Sequence, residues 1–183
     1  MRIFINPGHT PQSDIDAGRD FDCGATGFGL QENIVAANIA YLTAKYLSVL
    51  DCHIKVFQSM ELEEIVDVSN YWDSDIFVSI HCNAFNGNAS GTSTIYFENS
   101  SDGKKLADFI QSQIVHSLGT FDRGITDKIA GGYDSFVCKY TKCPAVLVES
   151  AFIDNFHDNL LLKFKQDVFA KAIAHGVTDF LKE

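Results

Sequence analysis

The sequence predicts a single α/β domain built on a twisted, mostly parallel sheet with helices on both faces. Three observations predict it. Short strand-like runs alternate with helix-length amphipathic stretches along the whole chain. Two of the runs, Ile76-Phe77-Val78-Ser79-Ile80 and Ala145-Val146-Leu147-Val148, are nearly continuous apolar segments, as strands covered on both faces must be. No repeat, low-complexity stretch or Ser/Gly-rich linker divides the 183 residues, so residues 1–183 read as one domain.

The elements follow in order. Arg2–Asn6 is the first strand, ended by the turn Asn6-Pro7-Gly8. The stretch Glu32 to Leu50 places Val35, Ile39, Leu42, Tyr46 and Val49 at three-to-four spacing, one apolar stripe along a helix. His53–Gln58 is a second strand, and Met60 to Trp72 a weaker helix. The runs Asp75–His81, Gly91–Glu98 and Ala145–Glu149 complete the strands. Gly103 to Leu118 and Asn159 to Lys182 read as helices, the second broken near Lys163–Gln166.

Composition narrows the function. A chain of this length buries roughly two-thirds of its extended surface, so it folds without a disulfide or metal staple. Apolar residues at 46% and charged residues at 21% are ordinary for a globular protein. No apolar run reaches the ~20 residues of a membrane span. The net charge of −10 repels phosphate backbones and argues against a nucleic-acid partner. The five cysteines (Cys23, Cys52, Cys82, Cys138, Cys143) are odd in number and form no CxxC pair, so free thiols are expected. Arg2-Ile3-Phe4-Ile5 is too short for a signal-peptide core, which predicts synthesis in the cytoplasm and another route to any outside task, the alternative being a domain of a longer secreted protein. A monomer is the default expectation.

Ligands of open α/β sheets bind beyond the carboxyl ends of the strands. His9 follows the first strand, His81 ends the strand Asp75–Ile80, and Glu149 ends Ala145–Val148. Glu32 opens the first long helix, directly after the glycine-rich turn Gly24-Ala25-Thr26-Gly27-Phe28-Gly29-Leu30. Singly, each histidine reads as a loop residue and Glu32 as a carboxylate favoured by a helix N-terminus. Glu149 is harder to dismiss, because a carboxylate after four apolar residues of a central strand is costly unless paired or ligated. Together, two imidazoles and a carboxylate with a second carboxylate nearby match the donor set of a catalytic zinc site.

These residues carry a resemblance. Asn6-Pro7-Gly8-His9, Gly24 to Glu32, Phe77-Val78-Ser79-Ile80-His81-Cys82-Asn83-Ala84 and Pro144-Ala145-Val146-Leu147-Val148-Glu149 resemble, in order and spacing, the four signature blocks of the zinc-dependent N-acetylmuramoyl-L-alanine amidases. The similarity runs from Ile3 to the last helix. It implies His9, Glu32 and His81 as zinc ligands and Glu149 as the catalytic carboxylate. The implied reaction is hydrolysis of the amide joining the lactyl group of N-acetylmuramic acid to L-alanine, with bacterial peptidoglycan as the partner. An alternative is a zinc carboxypeptidase or endopeptidase acting on the stem peptide. A metal-free glycosidase using Glu32 and Glu149, and a wall-binding module without catalysis, are further rivals.

The chain departs from the family pattern in places. Between Pro11 and Cys23 it carries extra acidic and polar residues (Asp14, Asp16, Arg19, Asp20, Asp22), Cys82 stands where alanine is usual, and Ser150 to Asn155 lacks the common glycine pair. No long insertion lies between Arg123-Gly124 and Cys143-Pro144, which predicts an open cleft. Strand alternation turns Cys82 away from His81 into the core. His53, His116, His157 and His175 read as surface residues, and the order of Gly24, Gly27 and Gly29 does not match a dinucleotide fingerprint.

Overall fold

The computed structural model of the chain describes residues 1–10 and 22–183. The acidic segment noted between Pro11 and Cys23 therefore lies outside the described residues, apart from Asp22. Strand β1 (Arg2–Pro7) is followed by a hairpin, β2 (Thr26–Gly27) and β3 (Leu30–Gln31), then α1 (Glu32–Leu47) and β4 (His53–Val56). Helix α2 (Leu62–Tyr71), β5 (Ile76–Asn83), β6 (Thr92–Tyr96) and α3 (Ser101–Leu118) come next. The chain ends with β7 (Asp122–Thr126), α4 (Phe136–Tyr140), β8 (Ala145–Phe152), α5 (Phe156–Phe164) and α6 (Gln166–Phe180).

The six-stranded sheet has the order β4-β1-β5-β8-β6-β7. Pairs β4–β1, β1–β5 and β5–β8 are parallel; β6 runs antiparallel to β8, and β7 parallel to β6. The two apolar runs picked out in the sequence are thus the neighbouring central strands β5 and β8. Alternation divides their side chains between two cores. Ile3, Ile5, Ile76, Val78, Ile80, Cys82, Val146 and Val148 pack beneath α1, α3 and α6. Phe4, Phe77, Ala145 and Leu147 meet Ile65 and Val66 of α2 and Val137 and Cys138 of α4. The same alternation puts His81 and Glu149 on this second, more thinly covered face. Cys82 is buried on the opposite one, as expected.

Local chemistry sets the helix boundaries. Ser100 caps α3 by accepting from the Gly103 N–H, and Gly119 ends it in the left-handed region at φ +65°. Asn155 caps α5 through the N–H groups of His157 and Asp158. The break between α5 and α6 falls at Lys165, inside the predicted window. Gly176 of α6 packs so closely on α3 that a Cβ there would lie 2.5 Å from Ile110 Cα.

Several features differ from the sequence expectation. Helix α1 stops at Leu47, three residues short of Leu50, and leaves Val49 exposed instead of on its apolar stripe. Strand β8 continues past Glu149 to Phe152, because Ser150, Ala151 and Phe152 remain buried beside β5 and its register shift. Strand β7, a polar edge strand interrupted by Gly124, lacks the apolar alternation that marks a strand. Helix α4, five residues long, is too short to show a helical period. No helix among the described residues is long and apolar enough to cross a membrane.

Candidate metal centre

His9, Glu32 and His81 come from three separate elements and meet at the carboxyl end of the sheet. Strand β1 delivers His9: Gly8 N–H donates to Ile80 O at 2.8 Å, and the next residue turns out of the sheet at φ +57°. That left-handed conformation costs a non-glycine residue about 1–2 kcal/mol, and such strain gathers at functional sites. The hairpin β2–β3 delivers Glu32. Phe28 (φ +44°) and Gly29 (φ +82°) form its two-residue turn, and the chain enters α1 with Glu32 N–H donating to Ala25 O at 2.9 Å. Strand β5 delivers His81.

The three donors face one another. His9 Nε2 lies 3.2 Å from Glu32 Oε2, and His81 Nδ1 lies 3.0 Å from Glu32 Oε1. One ligand atom from each residue lies within 4.8 Å of the others, so the group could hold a metal ion. Glycines make room for it. A Cβ on Gly8 would overlap the His81 ring, and one on Gly24 would come within 2.5 Å of His9 Cδ2 and 2.6 Å of Glu32 Oε2.

Hydrogen bonds fix each donor. Glu32 is 3% exposed, and its oxygens accept from Ala25 N–H at 2.8 Å and Cys82 N–H at 2.9 Å. Burial opposes its charge, yet hydrogen bonds with His81 and His9 outweigh burial and hold the carboxyl well below its usual range. A carboxylate held this firmly as an anion is unsuited to be the general acid of a glycosidase. Burial likewise opposes charge on His9, while hydrogen bonds to Glu32 and Asp22 lift its pKa to about 9. The local field favours positive charge between these groups.

Asp22 has no assigned role in the sequence reading. Its Oδ2 lies 2.7 Å from His9 Nδ1, while its Oδ1 accepts from Gly24 N–H at 2.9 Å. With Nδ1–H donating to Asp22, Nε2 faces Glu32 and would be the atom offered to a metal that displaces its proton. Its position two residues before Gly24 was the available signal. The acidic stretch around it masked that signal.

Glu149 sits on β8 in register with His81. Its Oε2 is buried and has no hydrogen-bond partner among the described residues. Burial raises its pKa to about 7, with His81 and His9 pulling it down and Glu32 pushing it up. Asn83, by contrast, uses its Oδ1 to accept from Ala84 N–H at 2.8 Å and shapes its own turn.

Beside the cluster lies a cleft of about 370 Å³, reached by Gly8, His9, Asp22 and His81 at one end and walled by α2, α4 and Leu147. The segment between Arg123 and Pro144 is not a long lid, but it is not absent either. Ile129, Ser135, Phe136 and Val137 form one side of the cleft without closing it. All five cysteines are free, and His53, His116, His157 and His175 are exposed, as the sequence predicts.

The family model described as N-acetylmuramoyl-L-alanine amidase matches residues 3–179. The chain is 37% identical to N-acetylmuramoyl-L-alanine amidase LytC of Bacillus subtilis over 186 residues, covering 97% of this chain and 34% of that protein. Among solved structures it resembles Cwp6 from Clostridium difficile, with TM-score 0.86 and 30% identity over 98% of this chain and 29% of that one. An N-acetylmuramoyl-L-alanine amidase from Clostridium difficile 630 matches with TM-score 0.84 and 28% identity over 100% of this chain and 97% of that one. The chain thus spans about a third of LytC and of Cwp6. With the family model matching nearly end to end, the chain belongs to the N-acetylmuramoyl-L-alanine amidase family.

Proposed function

We propose that residues 1–183 form one catalytic domain that hydrolyses the amide between the lactyl group of N-acetylmuramic acid and L-alanine in bacterial peptidoglycan. In this reading His9, Glu32 and His81 are zinc ligands and Glu149 carries protons. The observation that supports it most is the meeting of three ligand-type side chains from β1, α1 and β5, with the unpartnered oxygen of Glu149 on the adjoining strand.

The donor set fits zinc. His9, Glu32 and His81 would hold it: two imidazoles and a carboxylate with ligand atoms within 4.8 Å of one another are donor types that zinc takes. Bound there, zinc supplies a Lewis acid for the amide carbonyl and lowers the pKa of a water to about 7.

The chain's own residues do the rest. Asp22 holds His9 so that Nε2 faces the centre. Glu32 stays anionic because two backbone N–H groups and two imidazoles surround its oxygens. Glu149 takes a proton from the attacking water and returns it to the leaving nitrogen as the C–N bond breaks. Burial favours its protonated form, which suits a carboxyl that must carry a proton between two partners. The domain acts on the cell wall, after release or as part of a longer secreted protein.

Mass analysis of digested cell wall tests the bond. The amidase reading predicts free stem peptides beginning with L-alanine and glycan strands stripped of stems. Release of D-alanine with the stem still on its sugar means a carboxypeptidase, a cut within the stem an endopeptidase, and new reducing sugar ends a glycosidase.

A further inference from the structure

The loop that joins β5 to β6 carries a reactive pair of residues. Asn86 is the only asparagine of the chain followed by glycine, and both Asn86 and Gly87 are exposed. Such a pair can deamidate without an enzyme, because glycine has no side chain to hinder attack of its backbone nitrogen on the asparagine carboxamide. The structure treats the two reacting groups differently. On the electrophile, Asn86 Oδ1 accepts from the N–H groups of Asn88 and Ala89, each at 3.0 Å. Donors on that oxygen draw electron density from Cγ and are aimed at the charge that develops there during attack. On the nucleophile, the Gly87 N–H donates to Asp154 Oδ2 at 2.8 Å. The same oxygen accepts from Phe85 N–H at 3.0 Å, and Asn155 Nδ2 reaches Gly87 O at 3.4 Å. The turn after β8 thus grips the loop on both sides of Asn86.

We propose that Asn86-Gly87 is a site of spontaneous deamidation and that Asp154 is the brake on it in the folded chain. The reaction starts when Gly87 N gives its proton to hydroxide. The nitrogen then attacks Asn86 Cγ, a C–N bond forms, and the side-chain nitrogen leaves as ammonia after taking a proton from water. Water opens the resulting succinimide at either carbonyl, giving aspartate or isoaspartate. Nothing is oxidised or reduced, and water is the only reactant consumed. Asp154 opposes the first step twice over. Its hydrogen bond holds the proton that must be lost, and its negative charge lies 2.8 Å from the nitrogen that must become anionic. Release of that contact leaves an exposed, activated carboxamide beside an unrestrained nitrogen. The product adds a negative charge, and as isoaspartate a backbone methylene, to the loop that follows the His81 strand. The proposal is independent of the reaction at the metal centre.

Mass analysis of the purified chain tests this, with samples held at mildly alkaline pH and fragmentation used to place the change at Asn86. The mass gain from –NH2 to –OH, followed over time, gives the rate. The folded parent should deamidate more slowly than the same chain unfolded in guanidinium chloride. Asp154→Ala, with its unfolding transition checked, should speed the reaction about tenfold, the factor that follows from loss of one hydrogen bond to a charged group. Asp154→Asn keeps the size and an acceptor but not the charge, so its rate should fall between the two. Equal rates for folded and unfolded parent overturn the proposal, as do equal rates for the parent and Asp154→Ala. Slower deamidation in Asp154→Ala also overturns it, because the carboxylate is then the base that takes the proton. If Asp154→Ala does not fold, Asp154→Asn carries the comparison, and a rate no higher than the parent's overturns the proposal.

Discussion

Two carboxylates share one site, and their surroundings separate them. Glu32 is saturated with donors; Glu149 keeps a buried oxygen with no donor among the described residues. Glu32→Gln exchanges an anionic ligand for a neutral amide, so zinc affinity should fall markedly and activity with it. Glu149→Gln preserves shape but cannot accept a proton. Zinc should stay bound while turnover drops about 10²–10⁴-fold. Zinc content and turnover measured on both variants check the assignment, and zinc lost only from Glu149→Gln means the two roles are reversed. Asp22→Ala should weaken zinc binding about 10–100-fold without unfolding the protein, which competition with a chelator of known affinity measures. His9, His81 and both carboxylates were legible in the sequence as candidates because each sits just past the end of a strand or apolar run, or at the start of a helix. Asp22 was not, because a single acceptor in an acidic stretch has no period or spacing to mark it.

Among the elements, two glycines test different things. Gly176 lets α6 lie against α3, where an added methyl would meet the Ile110 backbone. Gly176→Ala should cost about 1–3 kcal/mol, seen as a lower unfolding midpoint with zinc content unchanged. Gly8 instead leaves room for the His81 ring. Gly8→Ala should weaken zinc binding more than it lowers the midpoint, and the reverse result would make Gly8 a packing residue. Helix α4 offers a pH prediction. Burial pushes the Cys138 thiol up to about 12, against an unfolded value of about 8.5. Its contribution to stability is complete below about pH 8.5 and is lost as pH rises toward 12, because the unfolded chain sheds that proton first. Urea midpoints at pH 8 and 10.5 should therefore fall less steeply for Cys138→Ala than for the parent. The central strands and long helices were readable from apolar runs and periods. Neither β7 nor α4 was, since an edge strand with Gly124 and a helix of five residues owe their form to tertiary contacts.

At the scale of the whole molecule, the fold and the metal centre are separable. The sheet is buried by α1, α3 and α6 on one face and by α2 and α4 on the other, and the candidate ligands lie at its carboxyl end, outside both cores. The metal should thus be needed for chemistry and not for folding, unlike small domains whose folding energy is metal binding. His9→Ala and His81→Ala should each lose zinc and keep a cooperative unfolding transition; global unfolding of either would make the site structural. The most direct test is metal analysis of the purified protein together with wall hydrolysis before chelation, after it, and after zinc is restored. The account predicts about one zinc per chain, hydrolysis that disappears with the metal and returns with it, and an unfolding transition that persists throughout. Full hydrolysis by metal-free protein would contradict it.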